Sequence, residues 1–304
     1  MNGYHLVLLT ALVSGFSVFI NALGVAGFDP FVFTTLKNTA VAAALVALLY
    51  LAGKPKKLAA LSGSDWKKLF AIGITGGSVP FLLFFWGLKA SNAATAAFIH
   101  KTMFVWVTVL AFAFLNERLT RKQLIGAAAL LAGTFIFAAP ALQLGLGELA
   151  VLAATLLWSI ETIISKKALT NIAPGIVAAS RMAFGLVVLV PFLAATGSLA
   201  SVFTLSTVQW QWVAITSLLL LGYVWTWYHG LAAVKASAAT AVLMLGSVVT
   251  SVLSWAFLAK GMQPLAAIGA LAMIAGAIAL ANIPIPVEVF RGVRGVPSES
   301  PVKK

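Results

Sequence analysis

Long apolar runs separated by short polar turns dominate the chain. They predict helices at 4–25, 31–52, 69–88, 93–115, 123–140, 148–167, 175–196, 209–231, 236–258 and 264–283. A helix of about 20 apolar residues crosses about 30 Å of hydrocarbon, so each run reads as a membrane span. The gaps carry turn chemistry: Gly27-Phe28-Asp29-Pro30, Gly53-Lys54-Pro55, Ser91-Asn92, Asn171 to Pro174 and Gly261 to Pro264. The alternating strands of an outer-membrane barrel are not visible. The predicted fold class is all-α and integral to the membrane, with ten transmembrane helices.

Polar and small positions then recur about 144 residues later. Pro30 and Lys37 return as Pro174 and Arg181. Ser14, Ser17 and Asn21 return as Trp158, Glu161 and Ser165. Gly87-Leu88, Gly126 and Gly133 return as Gly230-Leu231, Gly269 and Gly276. Five spans per copy is an odd number, so the second copy enters from the opposite side. A 5+5 inverted-topology repeat with a pseudo-two-fold axis in the membrane plane follows. The expected units are 1–143 and 144–284. A proline-rich end, 285–304, is expected to be a disordered cytoplasmic tail.

Charge tests this map. The chain has 304 residues and a net charge of +13; it is 62% hydrophobic and only 9% charged. With the N-terminus inside, 15 of 20 basic residues fall in inner segments, and Lys89 and Lys260 in outer ones. Such a bias places both termini in the cytoplasm. It also explains the positive charge without nucleic acid. The N-terminal run lacks a basic leader and reads as a retained span. There is no cysteine, hence no disulfide framework. His5, His100 and His229 are scattered, which argues against a metal site. No glycine loop precedes a Lys-Ser or Lys-Thr pair, so direct ATP use has no signature. No cofactor is expected.

Phe114-Leu115-Asn116-Glu117-Arg118-Leu119-Thr120, followed by Gln123-Leu124-Ile125-Gly126 and Gly133, looks like a hinge between the fourth and fifth spans. Phe257-Leu258-Ala259-Lys260-Gly261 is its second-half counterpart, without the acid. With ten spans, the repeat and about 300 residues, the chain resembles the EamA-type members of the drug/metabolite transporter superfamily. That resemblance covers nearly the whole chain. It implies transport of amino acids, other small metabolites, drugs or nucleotide sugars. Many members carry a proline midway along the fourth span; here that region reads Ala97-Phe98-Ile99-His100-Lys101-Thr102.

Ionisable groups inside spans cost at least about 2.5–3.5 kcal/mol near the bilayer centre, so each needs a reason. Lys37, Lys101, Glu161 and Arg181 are four such groups, and His100 is a fifth that can be neutral. At about 1.5 Å per residue, Lys37 and Lys101 lie in the outer half, and Arg181 and Glu161 near one level in the inner half. The expected substrate-binding set is Lys37, His100, Lys101, Trp158, Glu161 and Arg181. The excess positive charge suits a carboxylate or phosphate. The competing reading has Lys37 and Arg181 snorkelling to the headgroups. Thr155, Trp158, Glu161, Thr162 and Ser165 share one face of the sixth span. Thr10, Ser14, Ser17 and Asn21 answer on the first. These faces are expected to line a pathway, or else to hydrogen-bond between helices. Glu161, the one acid inside a span, is the proton-coupling candidate, with His100 second; a permanent Glu161–Arg181 ion pair would argue against that role. Trp225, Trp227, Tyr228 and His229 read as interface anchors. The fifth and tenth spans read as packing helices, between two copies in a homodimer or within one.

These residues predict a secondary transporter in the inner (plasma) membrane. It would export small polar or amphipathic metabolites, such as amino acids or organic anions, by alternating access. The expected partners are a small-molecule substrate and the lipid bilayer. An integral-membrane enzyme or scramblase acting on lipid or prenyl substrates is the alternative.

Overall fold

The computed structural model describes residues 2–24, 28–53, 55–140, 144–258 and 263–281. The predicted tail 285–304 lies outside them, as do Lys54, Lys260 and the second-half hinge counterpart from Ala259 onward. Among the described residues the regular structure is helical. In chain order it comprises α1 (Gly3–Gly24), α2 (Pro30–Leu51), α3 (Pro55–Ala59), α4 (Gly63–Gly77), α5 (Val79–Ala90), α6 (Ala93–Lys101), α7 (Met103–Leu115) and α8 (Arg121–Ala138). There follow α9 (Leu146–Ala168), α10 (Pro174–Ala195), a 3-10 turn (Ser198–Thr204), α11 (Thr207–Ala233), α12 (Ala236–Leu243), α13 (Gly246–Leu258) and α14 (Pro264–Ala281).

Local chemistry sets the starts. Asp29 accepts from the N–H groups of Phe31 and Val32 at 2.8 and 3.1 Å, and Pro30 opens α2 where no N–H is needed. Ser62 with Asp65, Thr120 with Gln123 and Ser206 with Gln209 form reciprocal capping boxes on α4, α8 and α11.

Nine segments among the described residues are long and apolar enough to cross a membrane. The helix at the predicted eighth position, α11, has 27 residues. Its tryptophans, tyrosines, glutamines and histidine lower its mean hydropathy, so by that measure the spans number nine against ten predicted.

Three predicted spans are interrupted. The third breaks at Ser78, whose φ of −141° and ψ of −77° leave the helical region between α4 and α5. Pro80 follows without an N–H to carry the ladder across. The fourth breaks at Thr102, although the family-type proline is missing. The Thr102 hydroxyl donates to the Ile99 carbonyl at 2.6 Å and accepts from the Trp106 indole at 3.1 Å. A hydroxyl bonding back to its own helix often bends it. The ninth breaks between α12 and α13. There the missing side chain of Gly246 lets the backbone sit against α1: a Cβ would lie 2.9 Å from the Ala11 carbonyl oxygen.

The inverted repeat is visible in how α8 meets α14. A Cβ on Gly133 would lie 2.8 Å from the Gly269 carbonyl oxygen, and one on Gly269 would lie 2.9 Å from that of Gly133. Gly126 and Gly276 face each other in the same reciprocal way. Since Gly126 corresponds to Gly269 and Gly133 to Gly276, the Gly126–Gly276 contact maps onto the Gly269–Gly133 contact. A two-fold axis produces that exchange. The outer pairs obey it too, for α1 packs on α11 as α9 packs on α4 and α5, while α2 meets α10 across the axis. The small-residue face of the fifth and tenth spans is thus used inside one chain. Their other faces carry exposed Leu124, Ile125, Leu265, Ile268 and Leu271, as lipid-facing surfaces do.

Candidate functional site

The break in the third span exposes the last carbonyls of α4, and three other helices converge on them. On α2, the register set by Pro30 turns Asn38 inward, and its amide donates to the Gly77 carbonyl at 3.0 Å. On α9, the Trp158 indole donates to the Gly76 carbonyl at 3.1 Å. On α10, the Arg181 guanidinium donates through Nη2 to that same carbonyl at 3.0 Å. A helix end holds partial negative charge, so a cation there is stabilised. Two glycines allow the approach: a Cβ on Gly185 would lie 2.6 Å from the Gly77 carbonyl oxygen.

Spacings of three and four bring Trp158, Glu161 and Ser165 onto one buried face of α9. Glu161 is 2% exposed and Arg181 6%. Both side chains reach Gly76, where a Cβ would lie 3.0 Å from Arg181 Nε and 3.0 Å from Glu161 Cδ. Yet they form no direct ion pair; the ion pair found among the described residues is Lys68–Asp65. Oε1 of Glu161 instead accepts from the Ser165 and Tyr228 hydroxyls at 2.5 and 2.6 Å. Arg181 Nε is buried without a hydrogen-bond partner. Opposite charges therefore sit side by side, each held by neutral or carbonyl partners.

Aromatic rings form the next wall. Trp158 lies 5.2 Å from Phe81, 5.6 Å from Phe84 and 5.0 Å from His100, ring centre to ring centre. His100 also lies 5.1 Å from Phe84, and its Nδ1 is buried without a partner.

The other predicted residues fall elsewhere. Lys37 donates to Asn21 Oδ1 at 3.4 Å and lies 4.7 Å from the Phe33 ring. Asn21 in turn donates to Ser17 at 3.4 Å, which joins three predicted residues between α1 and α2. Lys101 lies over the Phe137 ring of α8 at 5.2 Å. The two lysines thus engage different helices, and no hydrogen bond joins them among the described residues. Ser14 lies beside the ninth-span break, its Cβ 3.3 Å from where a Gly246 Cβ would sit. Thr155 is fully buried and bonds to Val151 of its own helix, and Thr162 likewise to Trp158. Thr10 reaches across to the Thr226 hydroxyl at 2.9 Å.

Tyr228 corrects the expectation of an interface anchor. It and Trp227 are buried, whereas Trp225 is exposed and lies against His229. Their spacing on α11 carried the signal: residues 227 and 228 face inward when 225 and 229 face out. Phe81 and Phe84 look like ordinary span residues, whereas Asn38, a polar amide beside Lys37 within the second span, carried a signal that went unused. Two surface hollows, at the Asn116 turn and between Lys57 and Asn171, share no residue with this group.

Residues 1–139 and 145–282 each match the EamA-like transporter family. An uncharacterized transporter of Archaeoglobus fulgidus is 27% identical over 154 residues, covering 51% of this chain and about half, 54%, of that relative's length. The uncharacterized transporter YyaM of Bacillus subtilis (strain 168) is 23% identical over 253 residues, covering 80% of this chain and 81% of its own. A solved crystal structure shares the fold with a TM-score of 0.73 at 19% identity, covering 92% of this chain and 96% of that one.

Proposed function

Because this chain belongs to the EamA-like transporter family, we propose that it is a secondary active transporter that exports small polar or amphipathic metabolites by alternating access. Amino acids and organic anions are the substrates that suit its charges. One observation carries this reading: Glu161 and Arg181 are buried side by side at a helix break, without pairing with each other. A permanent ion pair would serve structure alone. Two neighbouring charges that keep separate partners remain available to a third. Discontinuous helices at the midplane are where transporter substrates bind.

In this reading an anionic group takes up the unpartnered Nε of Arg181, and the apolar part of the substrate lies against Phe81, Phe84 and Trp158. His100 Nδ1 supplies a further polar contact. Glu161 carries the coupling proton, with the Ser165 and Tyr228 hydroxyls holding its carboxylate in place. The Lys37–Asn21–Ser17 group and Lys101 draw anions along the path. The protein sits in a bacterial inner membrane with both termini in the cytoplasm, as the basic bias directs.

A thermal-shift screen of the purified protein against amino acids, organic acids and phosphorylated metabolites tests this. A ligand that raises the melting temperature of the natural chain and of Lys89→Ala, but not of Arg181→Met, supports the site. Equal stabilisation of all three by the same anion would place binding elsewhere. No stabilisation by any anion would remove the charge argument.

A further inference from the structure

Outside this site, two charged residues act on one turn. The turn joins α11 to α12 through Val234 and Lys235. Lys166, near the end of α9, donates from Nζ to the carbonyls of Leu231, Ala232 and Val234 at 2.7, 3.2 and 2.6 Å. These belong to the last turn of α11 and the residue that ends it. Glu117 acts on the other side. Its Oε1 accepts from the Ala236 N–H at 2.7 Å, and its Oε2 from the Ser237 N–H and hydroxyl at 3.2 and 2.6 Å. These are the first amides of α12, whose own capping residue, Lys235, makes no side-chain cap bond.

Each charge meets the helix end of opposite polarity. Charge-assisted bonds of this kind are about twice as strong as neutral ones. Neither charged residue is local. Glu117 comes from the turn between α7 and α8 in the first repeat. Asn116, in the left-handed conformation at φ 55°, redirects the chain there, and Glu117 is only 8% exposed. Lys166 comes from α9. The six bonds therefore tie α7, α9, α11 and α12 together at one end of the bundle. At the opposite end, the equivalent turn from Lys89 to Asn92 is built differently. Asn92 caps its own helix through the N–H groups of Ala94 and Thr95 at 2.9 and 3.3 Å, and Glu148 accepts from the Asn92 N–H at 3.2 Å. One end is clasped by distant charges and the other by a largely local cap.

We propose that Glu117 and Lys166 form the gate clasp on the side that the charge bias assigns to the cytoplasm, holding the start of the ninth span shut until the transport cycle releases it. This rests on the alternating-access reading. Opening that side moves α12 away from α7 and α9, and such movement breaks the bonds of Glu117. Both residues are positioning residues: Glu117 acts through the first amides of α12 and Lys166 through the last carbonyls of α11, and neither touches substrate.

The chain has no cysteine, so a single introduced thiol reports access without a background. Thr240, on α12, is 0% exposed. Thr240→Cys is labelled with a membrane-impermeant maleimide in inside-out vesicles. Glu117→Gln and Lys166→Met should each speed labelling about tenfold, the population change expected when bonds to a charged group are weakened. Glu148→Gln, at the other end, should not. Unchanged labelling in Glu117→Gln and Lys166→Met overturns the proposal. A parallel reporter, Thr134→Cys, lies fully buried on α8 and should stay unreactive throughout. If it also becomes reactive, the two residues merely hold the fold, and the proposal fails. Ligand stabilisation of the natural chain is measured in parallel. Faster labelling without any ligand effect would keep the clasp and remove the transporter reading; a ligand effect with unchanged labelling would do the reverse.

Discussion

At Gly76 the missing side chain makes room for chemistry. A Cβ there would press on Glu161 and Arg181, so Gly76→Ala should displace both charged groups. Ligand stabilisation should vanish while the protein still purifies as a folded species; retained binding would show that the two charges do not meet the ligand. Trp158→Phe removes one of two donors to the Gly76 carbonyl and keeps an aromatic ring, though a smaller one. A net cost of about 1 kcal/mol is expected, read as a lower melting temperature. Glu161→Gln keeps an acceptor for the Ser165 and Tyr228 hydroxyls, so the fold should persist. Uptake driven by a pH gradient should disappear while substrate exchange without a gradient survives. Equal loss of both would give Glu161 a binding role instead. The sequence made the charges legible, because an ionised group in a span is expensive. Their partners were not legible. Depth alone puts Glu161 and Arg181 near one level, where they could pair, but a broken helix about a hundred residues upstream supplies the carbonyl that Arg181 takes.

The elements were legible to within a few residues where hydropathy and capping signals agree, as at Pro30, Thr120 and Pro174. The breaks at Ser78, Thr102 and Met244 were not, because apolar residues continue across each and only backbone bonding changes. The reciprocal glycines make α8 and α14 a rigid seam. Gly126→Val and Gly276→Val would each drive a branched side chain into the facing backbone. Each should destabilise the protein by about 1–3 kcal/mol or more, as overpacking does. The check is the melting temperature in detergent, with Ile125→Val on the exposed face of α8 as the neutral comparison. A loss confined to self-association, with unchanged melting, would move that seam from the monomer to a dimer.

Across the whole molecule, the two antiparallel copies of one unit do not carry the same polar side chains. Trp158, Glu161 and Arg181 in the second copy stand where the first has Ser14, Ser17 and Lys37. The repeat was readable from these offsets, and the reciprocal contacts of α8 with α14 bear it out. The proposed alternating access requires two related arrangements of these units, each open to one side. The most direct measurement is counterflow. Proteoliposomes are loaded with an unlabelled amino acid or organic acid that stabilises the protein, and a trace of labelled compound is added outside. Transient accumulation of label above equilibrium, abolished in Arg181→Met and retained in Lys89→Ala, is the predicted result. Influx that rises in proportion to concentration without overshoot, or an overshoot that survives Arg181→Met, would contradict a carrier built around this site.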